Sequence, residues 1–378
     1  MKYIYLLFIC LILFVKCASP KINEDVIKLP IRYDLTNVLS FSESEYEYDI
    51  KIIPLENKSD AFIMFEQQRM EVYKNFFYIM SLGKDIKIFD KNGKYLTKIN
   101  KGRGPGELVF AYDISFDTQA EKLEVLDANE IKIFDLIGNF EMTVSCGNRY
   151  VEFVKYGDKR IFYDSNKDKS QEYNFIIKYN SGDNGYFEKK YGPTLKPIYS
   201  PRHFSIHNGS LYICSNYSNT IYKMGHKDNI PMKFAYVEAM NDIRNIKGID
   251  LKEYDDLCLR NEWFNNISGF YLIDENLFEI CIGKDRIRTY LYDSNKNTFY
   301  YHPFKDVPAL FQPKFVDETG EYFLFPPEIF NEKTKSMFMD NNPMFYSKLM
   351  ECMKQNLDLE KDMENIYVVQ LSYSKKQR

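Results

Sequence analysis

Histidine and tryptophan are scarce in this sequence, with four histidines and one tryptophan among 378 residues. His203 and His207 have the spacing that binds a metal on a helix, but the residues around them alternate between apolar and polar. On a strand, that spacing places the two side chains roughly 13 Å apart. The sequence also lacks the H-E-x-x-H and G-x-S-x-G motifs. It therefore indicates no metal site and no cofactor, and it identifies no catalytic residue.

The seven cysteines include no C-x-x-C pair, which excludes a zinc ribbon and a thioredoxin-like motif. Five of them follow the N-terminal segment and are widely separated along the chain. We expect these five to be small buried side chains, with a disulfide between two of them as the open alternative. They are Cys146, Cys214, Cys258, Cys281 and Cys352.

An excess of charge of one sign is also missing. The chain has 50 Lys and Arg residues against 54 Asp and Glu residues, and no basic block occurs. This excludes the electrostatic signature of a nucleic-acid-binding protein, so we expect no nucleic-acid partner. A mean hydropathy of −0.43 excludes a polytopic membrane protein.

The single long apolar run lies at the N-terminus and predicts export. Lys2 precedes an apolar stretch at residues 3–15, which is too short to span a bilayer comfortably and has the form of an export signal. Cys17 follows shortly after, as in bacterial lipoproteins, whose cysteine thiol is lipidated. We predict a lipoprotein signal peptide at residues 1–16, lipidation of Cys17 and a linker at residues 17–30. The protein would then be held at the cell envelope, on the outer membrane or the periplasmic face, through the lipid anchor only. A secreted or soluble periplasmic protein is the alternative.

Phenylalanine and tyrosine are abundant, at 30 and 31 residues, and favour strands. An internal repeat shows how these strands are organised. Residues 85–95 read DIKIFDKNGKY, and residues 130–140, which lie 45 residues later, read EIKIFDLIGNF. Each copy alternates apolar and polar residues, turns at a glycine and resumes as a strand. The Asn92-Gly93 pair predicts a tight hairpin turn with positive φ at both residues. Several short strands per unit of about 45 residues are typical of a propeller blade.

Weaker copies continue to a last strand at residues 366–373. We therefore predict an all-β fold, a six-bladed β-propeller with four-stranded antiparallel blades, in a single domain at residues 31–378. Small helical insertions are expected in the later blades, at residues 250–258 and 342–353, where capping residues precede apolar residues at helical spacing.

A closed ring requires an N-terminal strand in the same blade as the last strand, because an unsealed blade exposes its edges. We expect this strand to come from within residues 26–53. Residues 26–33 alternate but contain Pro30, which cannot donate a ladder hydrogen bond. Residues 49–55 are the other candidate.

A glycine-rich string between the two clear copies is the most distinctive motif of the chain. Backbone N–H groups of such a loop can hold an anion, and an arginine within it adds positive charge. The string has no G-K-[ST] sequence, which excludes a P-loop. The alternative is a tight connector between blades in which the arginine and the glutamate pair or cap the backbone. The candidate ligand-binding or inter-blade residues are Gly102, Arg103, Gly104, Gly106 and Glu107.

The glycine-turn strand, the G-R-G-P-G-E string and the following I-x-x-F-D-x-x-G strand together resemble the bacterial six-bladed β-propeller lipoproteins, which are similar to NHL-repeat and TolB-like propellers. Residues 49–56 and 219–223 also look like strings of that family. The resemblance covers roughly residues 25–375 and is strongest in the first two blades. It implies the fold and export, and it implies no particular reaction.

Two classes of function remain open at this point. The favoured one is a binding or scaffold propeller that recognises a glycan, a peptide or an envelope protein on one face of the ring. The alternative is a hydrolase or lyase that acts on a carbohydrate or peptide at the central channel. A deep channel with a ring of charged side chains would favour an enzyme, and aromatic side chains over a shallow surface would favour binding.

Lipidation of Cys17 is testable in cells. The wild-type protein should partition into the detergent phase of membrane extracts, because an acyl anchor carries a large apolar surface. Cys17→Ala should release the protein from the membrane or leave its signal uncleaved. Normal processing and unchanged partitioning of Cys17→Ala would contradict the lipoprotein prediction.

Overall fold

The computed structural model describes residues 26–63, 68–164, 172–190, 202–215, 218–241, 246, 251–283, 287–304, 313–327, 335–336, 338–339, 342–357 and 365–377. The predicted signal peptide and Cys17 lie outside these residues. Within them, the chain forms six antiparallel sheets arranged as the blades of one propeller, which confirms the predicted fold.

Each blade contains four antiparallel strands, and the blades follow one another in chain order. The N-terminal part forms β1 (Ile27–Leu29), β2 (Val38–Leu39) and β3 (Tyr46–Pro54). Blade 1 consists of β4 (Gln68–Tyr73), β5 (Phe76–Ser81), β6 (Ile86–Asp90) and β7 (Tyr95–Ile99). Blade 2 consists of β8 (Ala111–Asp117), β9 (Lys122–Asp127), β10 (Glu130–Phe134) and β11 (Phe140–Ser145). Blade 3 consists of β12 (Glu152–Tyr156), β13 (Lys159–Tyr163), β14 (Tyr173–Tyr179) and β15 (Asn184–Lys189).

The later blades recruit the N-terminal strands and carry the two helices. Blade 4 consists of β16 (Phe204–His207), β17 (Ser210–Cys214), β18 (Thr220–Gly225) and β19 (Met232–Val237), with β1 added at its edge. Blade 5 consists of β20 (Asn266–Leu272), β21 (Leu277–Gly283), β22 (Ile287–Asp293) and β23 (Thr298–Tyr301), with β2 added. Blade 6 consists of β24 (Phe315–Asp317), β25 (Gly320–Phe325), β26 (Tyr367–Lys375) and β3. Helix α1 (Leu251–Asn261) joins blades 4 and 5, and α2 (Pro343–Asn356) lies between β25 and β26, as the sequence predicts.

The sequence repeat corresponds to the third and fourth strands of blades 1 and 2. Its aspartate caps the turn: Asp90 Oδ1 accepts hydrogen bonds from the N–H groups of Asn92 and Lys94, at 2.8 and 3.0 Å. Of the two turn residues, only Gly93 has a positive φ, of 83°. The predicted two-residue turn with positive φ at both Asn92 and Gly93 is therefore wrong. The loop has three residues and ends in a glycine bulge, because Gly93 donates to Asp90 and Asp90 donates to Lys94.

The ring closes within blade 6, where β26 pairs antiparallel with β3 from Tyr46↔Lys375 to Pro54↔Tyr367. A closing strand within residues 26–53 is therefore confirmed, and it is the second candidate segment that supplies it. Residues 27–29 instead form β1, which pairs in parallel with β19 of blade 4. The propeller thus begins inside the segment predicted as linker. Pro30 follows β1 directly, where its missing N–H costs no ladder bond.

Apolar side chains fill the spaces between neighbouring blades. One cluster joins blades 1 and 2 around Tyr78, Ile88 and Phe116, and another joins blades 6 and 1 around Leu324 and Val368. The five cysteines are free thiols; four are buried as expected, and Cys352 on α2 is half-buried.

Removing residues 366–378 should destroy the fold rather than trim it. The deletion takes away β26, leaving β3 without its partner and blade 6 open. We expect aggregation on size-exclusion chromatography or loss of a cooperative thermal transition. Deleting only residues 377–378 is the matched control and should leave the melting temperature unchanged. A soluble 366–378 deletion with a wild-type melting temperature would contradict the closure argument.

Candidate functional site

The innermost strands of all six blades surround a central cavity of about 350 Å³. These strands are β4, β8, β12, β16, β20 and β24. Eleven of the twenty lining residues are aliphatic or aromatic. The first halves of the strands form one end of the cavity, which we call the floor, and the last residues of the strands form the other end, which we call the mouth. The apolar wall consists of Val72, Tyr73, Ile114, Phe116, Phe153, Val154, Phe204, Ile206, Tyr271, Phe315 and Val316.

A cluster of buried charges lies at the floor, where Arg69 of blade 1 meets carboxylates of blades 2 and 3. Arg69 Nη2 is 3.2 Å from Glu152 Oε2, and Arg69 Nε is 3.6 Å from Asp113 Oδ1. Asp113 Oδ2 accepts a hydrogen bond of 2.9 Å from the N–H of Phe153. Both carboxylates are at most 2% exposed, so the cluster joins three blades beneath the cavity.

Arg202 and His203, which directly precede β16, complete this cluster. Arg202 Nη2 contacts Glu71 Oε1 of blade 1 and lies 3.8 Å from Asp113 Oδ1. His203 Nδ1 is 2.8 Å from Glu152 Oε2, and the His203 N–H donates to Glu152 Oε1 at 2.8 Å. His203 is thus engaged with a carboxylate. Within the described residues no group of three metal-binding side chains converges.

The charges at the floor shift one another's protonation. Burial opposes ionisation of Glu152, but Arg69 and His203 outweigh it and lower the Glu152 pKa to about 2. Burial raises the pKa of Asp113 to about 7, despite the opposing effect of Arg69. Burial and the neighbouring Arg69 charge lower the pKa of Arg202 to about 9. Near neutral pH, Glu152 is therefore ionised, and Asp113 is the carboxyl that exchanges its proton.

Tyr271 of blade 5 also faces the cavity near the floor. Tyr271 is 4% exposed. Its hydroxyl has no hydrogen-bond partner among the residues that the structure describes. The tyrosine ring lies over Gly269, where an added Cβ would be 3.0 Å from Tyr271 Cε2.

The mouth of the cavity carries aromatic side chains and carboxylates. Tyr73 stacks on Phe116 with ring centroids 4.6 Å apart. Lys74 lines the mouth and pairs with Glu121 at 2.6 Å. Asp317, the last residue of β24, and Glu318, which follows it, lie at the same end.

The glycine-rich string forms the connection between β7 and β8, away from the cavity. The Glu107 carboxylate lies over the loop and accepts the Gly104 N–H at 2.7 Å. An added Cβ at Gly102 would be 2.0 Å from Glu107 Oε2, which explains the glycine. Gly106 has a φ of 77°, and Arg103 is exposed. The loop therefore holds its own carboxylate where an external anion would bind. Ligand contact by Gly102, Arg103, Gly104, Gly106 and Glu107 stays a prediction.

A second buried polar cluster joins blades 5 and 6 and does not line the cavity. His302 Nε2 lies 2.7 Å from Glu321 Oε2 and 3.0 Å from the Tyr373 hydroxyl. Burial raises the pKa of Glu321 to about 8, and burial together with Glu321 raises that of Glu279 well above its usual range. Burial lowers the pKa of His302 to about 4. This cluster is neutral at pH 7 and serves the contact between blades.

The sequence did not indicate the floor cluster. Arg69, Asp113, Glu152 and Arg202 each stand near the start of a strand, and the chain separates them by 30 residues or more. The one local signal is a charged residue inside an alternating apolar pattern, as in Glu152-Phe153-Val154. Many exposed strands carry the same pattern, so it does not identify a site.

Comparison with known proteins supports the fold. The model of a family described as "Domain of unknown function (DUF4934)" matches residues 26–374. No curated protein matches the sequence. Among solved structures, BF0058 of Bacteroides fragilis NCTC 9343, which carries the description of an exported protein, superimposes with a TM-score of 0.65. It is 14% identical, and the match covers 93% of this chain and 100% of that protein.

Two further structures superimpose less well. PorZ of Porphyromonas gingivalis, described as a surface component of the type-IX secretion system, has a TM-score of 0.37 and 13% identity over 68% of this chain and 29% of its own. BamB from Moraxella catarrhalis has a TM-score of 0.40 and 10% identity over 66% of this chain and 65% of its own. The likeness to BF0058 shows a shared fold, and the other two support no further comparison. Within the described part of the chain, no helix has the length and apolar character to cross a membrane.

The protonation of Asp113 predicts a measurable pH dependence of stability. A carboxyl with a raised pKa contributes stability below its ordinary value of 3.8, and this contribution is lost as the pH rises to about 7. Urea unfolding at pH 5, 6, 7 and 8 should show Asp113→Asn gaining on the wild type by about 1 kcal/mol per pH unit up to pH 7. Above pH 7 the difference should be constant. A difference that does not change between pH 5 and 7 would contradict the assignment.

Proposed function

The chain belongs to the family described as a domain of unknown function, DUF4934, and we propose that it is an exported propeller of the cell envelope that binds a peptide or protein segment in its central cavity. The apolar segment before Cys17 supports export, and the exported description of BF0058 agrees with it. Anchoring through Cys17 and kinship with the NHL-repeat and TolB-like propellers are parts of this proposal.

The observation that carries the proposal is the cavity itself. Its volume of about 350 Å³ lies within the range of small-ligand pockets. Its wall is mainly apolar, and its charged groups lie at the floor and at the mouth. Such a combination supplies affinity through burial of apolar surface and orientation through a few hydrogen bonds.

The state of the charged groups favours binding over catalysis. A ring of charged side chains would favour an enzyme, and aromatic walls would favour binding. The channel has both, so its lining alone does not distinguish the two functions. Both oxygens of Glu152 accept hydrogen bonds, and a carboxylate with a pKa of about 2 is a weak base. Asp113 titrates near neutrality but does not line the cavity. Neither Glu152 nor Asp113 is thus both placed and tuned for general acid–base catalysis.

The aromatic residues favour a peptide over a glycan. Sugar rings stack on open aromatic faces, but Tyr73 and Phe116 already stack on each other. Phe204 packs edge-on against Phe175. A sugar would also bury several hydroxyl groups against an apolar wall, and each unsatisfied one costs about 1–3 kcal/mol. Aliphatic and aromatic peptide side chains fit the same wall without this cost.

Binding to arrayed ligands tests the proposal. The mature protein should bind a subset of random octapeptides and bind arrayed glycans at background. Thr118→Trp or Ile206→Trp, at the mouth of the cavity, should reduce peptide binding about tenfold or more, because the new ring blocks the cavity. Ile230→Trp is the matched control, since Ile230 is 66% exposed and lies outside the cavity, and it should bind as the wild type does.

Three results would decide against this function. Binding of glycans alone would favour a carbohydrate ligand. Peptide binding that Thr118→Trp and Ile206→Trp leave intact would place the site elsewhere. Cleavage of an arrayed peptide or glycan, detected by mass spectrometry, would favour a hydrolase or lyase.

A further inference from the structure

The floor of the cavity presents hydrogen-bond donors that no described residue uses. Arg202 contacts Glu71 and Asp113 through Nη2 alone. Its Nε and Nη1 nitrogens have no partner among the described residues, and they are not among the atoms sealed from solvent. Because Arg202 lines the cavity, these N–H groups are available to a ligand there.

The Tyr271 hydroxyl is a second donor at the same place. It lines the cavity, has no hydrogen-bond partner within the described chain, and is not sealed from solvent. The Arg202 backbone N–H donates to the Ser268 carbonyl at 3.3 Å, and the Tyr271 ring lies over the next residue, Gly269, so the two residues are neighbours at the same cavity. A guanidinium and a hydroxyl directed at one space form a donor set for an oxygen anion.

The charge balance of the floor also favours an anion. Arg69 and Arg202 contribute positive charge. Lys314 adds to it and has no ion-pair partner in the part of the chain that the structure describes, although burial and the Arg69 charge lower its pKa to about 8. Glu71 and Glu152 offset two of the three cations. Asp113 offsets the third only in part, since burial raises its pKa to about 7. An anionic ligand would complete the compensation of these three cations.

We propose that the floor of the cavity binds the C-terminal carboxylate of a peptide, through Arg202 and Tyr271, with the apolar side chain of the last residue against the cavity wall. This inference rests on the proposed peptide-binding function. The Arg202 guanidinium can donate a charge-assisted hydrogen bond to the carboxylate from Nε or Nη1, and the tyrosine hydroxyl supplies a second. Val72, Ile114 and Phe204 provide the apolar contact beside these donors.

The carboxylates at the mouth distinguish a peptide from an acidic glycan. Asp317 and Glu318 lie where the ligand leaves the cavity. A polyuronate carries a carboxylate on every sugar, so its next unit would be placed against these two residues. A peptide carries its terminal carboxylate only once. A lysine or arginine before its last residue would instead be attracted to Asp317 and Glu318.

Two matched peptide libraries test the inference. Acetylated tripeptides ending in Val, Ile, Leu or Phe are prepared as free acids and as C-terminal amides, and titrated against the mature protein by calorimetry. The best free acids should bind about tenfold or more tightly than their amides, the size expected for a charged hydrogen-bonded pair. Tyr271→Phe should weaken binding of the acids several-fold and leave binding of the amides unchanged.

The variants are chosen so that a folding defect is not mistaken for a loss of binding. Tyr271→Phe removes a hydroxyl that no described residue uses, so its melting temperature should equal that of the wild type. Tyr46→Phe is the matched control, because the Tyr46 hydroxyl also has no described partner but is sealed from solvent and lies in β3, outside the cavity. It should not alter binding. Arg202→Lys keeps the positive charge and removes the guanidinium, and it should weaken binding of the acids selectively.

The remaining outcomes contradict the carboxylate inference alone or together with the proposed peptide binding. Equal binding of acids and amides would overturn the carboxylate inference and leave peptide binding standing. Failure of every tripeptide to bind would also overturn it, and the octapeptide arrays would then decide the proposed function separately. Binding of digalacturonate with no binding of peptides would overturn both, in favour of an acidic glycan.

Discussion

The pairing of β3 with β26 is the contact on which the rest of this structure depends. Nine residues of each strand are matched, and they come from opposite ends of the propeller sequence. The pairing completes blade 6 and lets Leu324 and Val368 pack against blade 1. Only then does β24 lie beside β4, so that six innermost strands surround a cavity. Local hydrogen bonding within single blades would leave an open arc with no central site.

Burying the charged groups of the floor cluster costs desolvation free energy. The arginines and carboxylates of the cluster are less than 20% exposed, so folding removes most of their hydration. The attraction within a buried ion pair often only balances this loss of hydration free energy. The cluster draws its members from four blades, so each pair also fixes the positions of blades across the channel. Removing one partner would leave a buried charge uncompensated, which is far more costly than losing a surface ion pair. The same constraint holds the Arg202 guanidinium rigid beneath the cavity, where its uncommitted N–H groups are preorganised for a ligand.

Local chemistry made several features predictable. The aspartate and glycine of the repeat define a hairpin because the carboxylate caps backbone N–H groups and Gly93 alone adopts a positive φ. Pro343 begins α2 because its missing N–H costs nothing in the first turn. In contrast, the position of β1 could not be predicted. Its parallel partner β19 lies about 200 residues away, and three alternating residues carry no information about which edge they join. Residues 26–33 therefore looked like a closing strand, although residues 46–54 close the ring.

The sequence by itself determined the strand periodicity, the blade repeat and the two helices, because each depends on residues close together in the chain. It also indicated that the glycine-rich string is a loop between two blades, although only the structure showed that the Glu107 carboxylate lies over this loop. Tertiary structure alone decided the cavity and its floor. Arg69, Asp113, Glu152 and Arg202 are ordinary strand-start residues until ring closure brings their charges within a few ångströms of one another. The shifted pKa values of Asp113, Glu152 and Arg202 and the free donors of Arg202 arise from this proximity and from burial. Neither the proximity nor the burial exists in the unfolded chain.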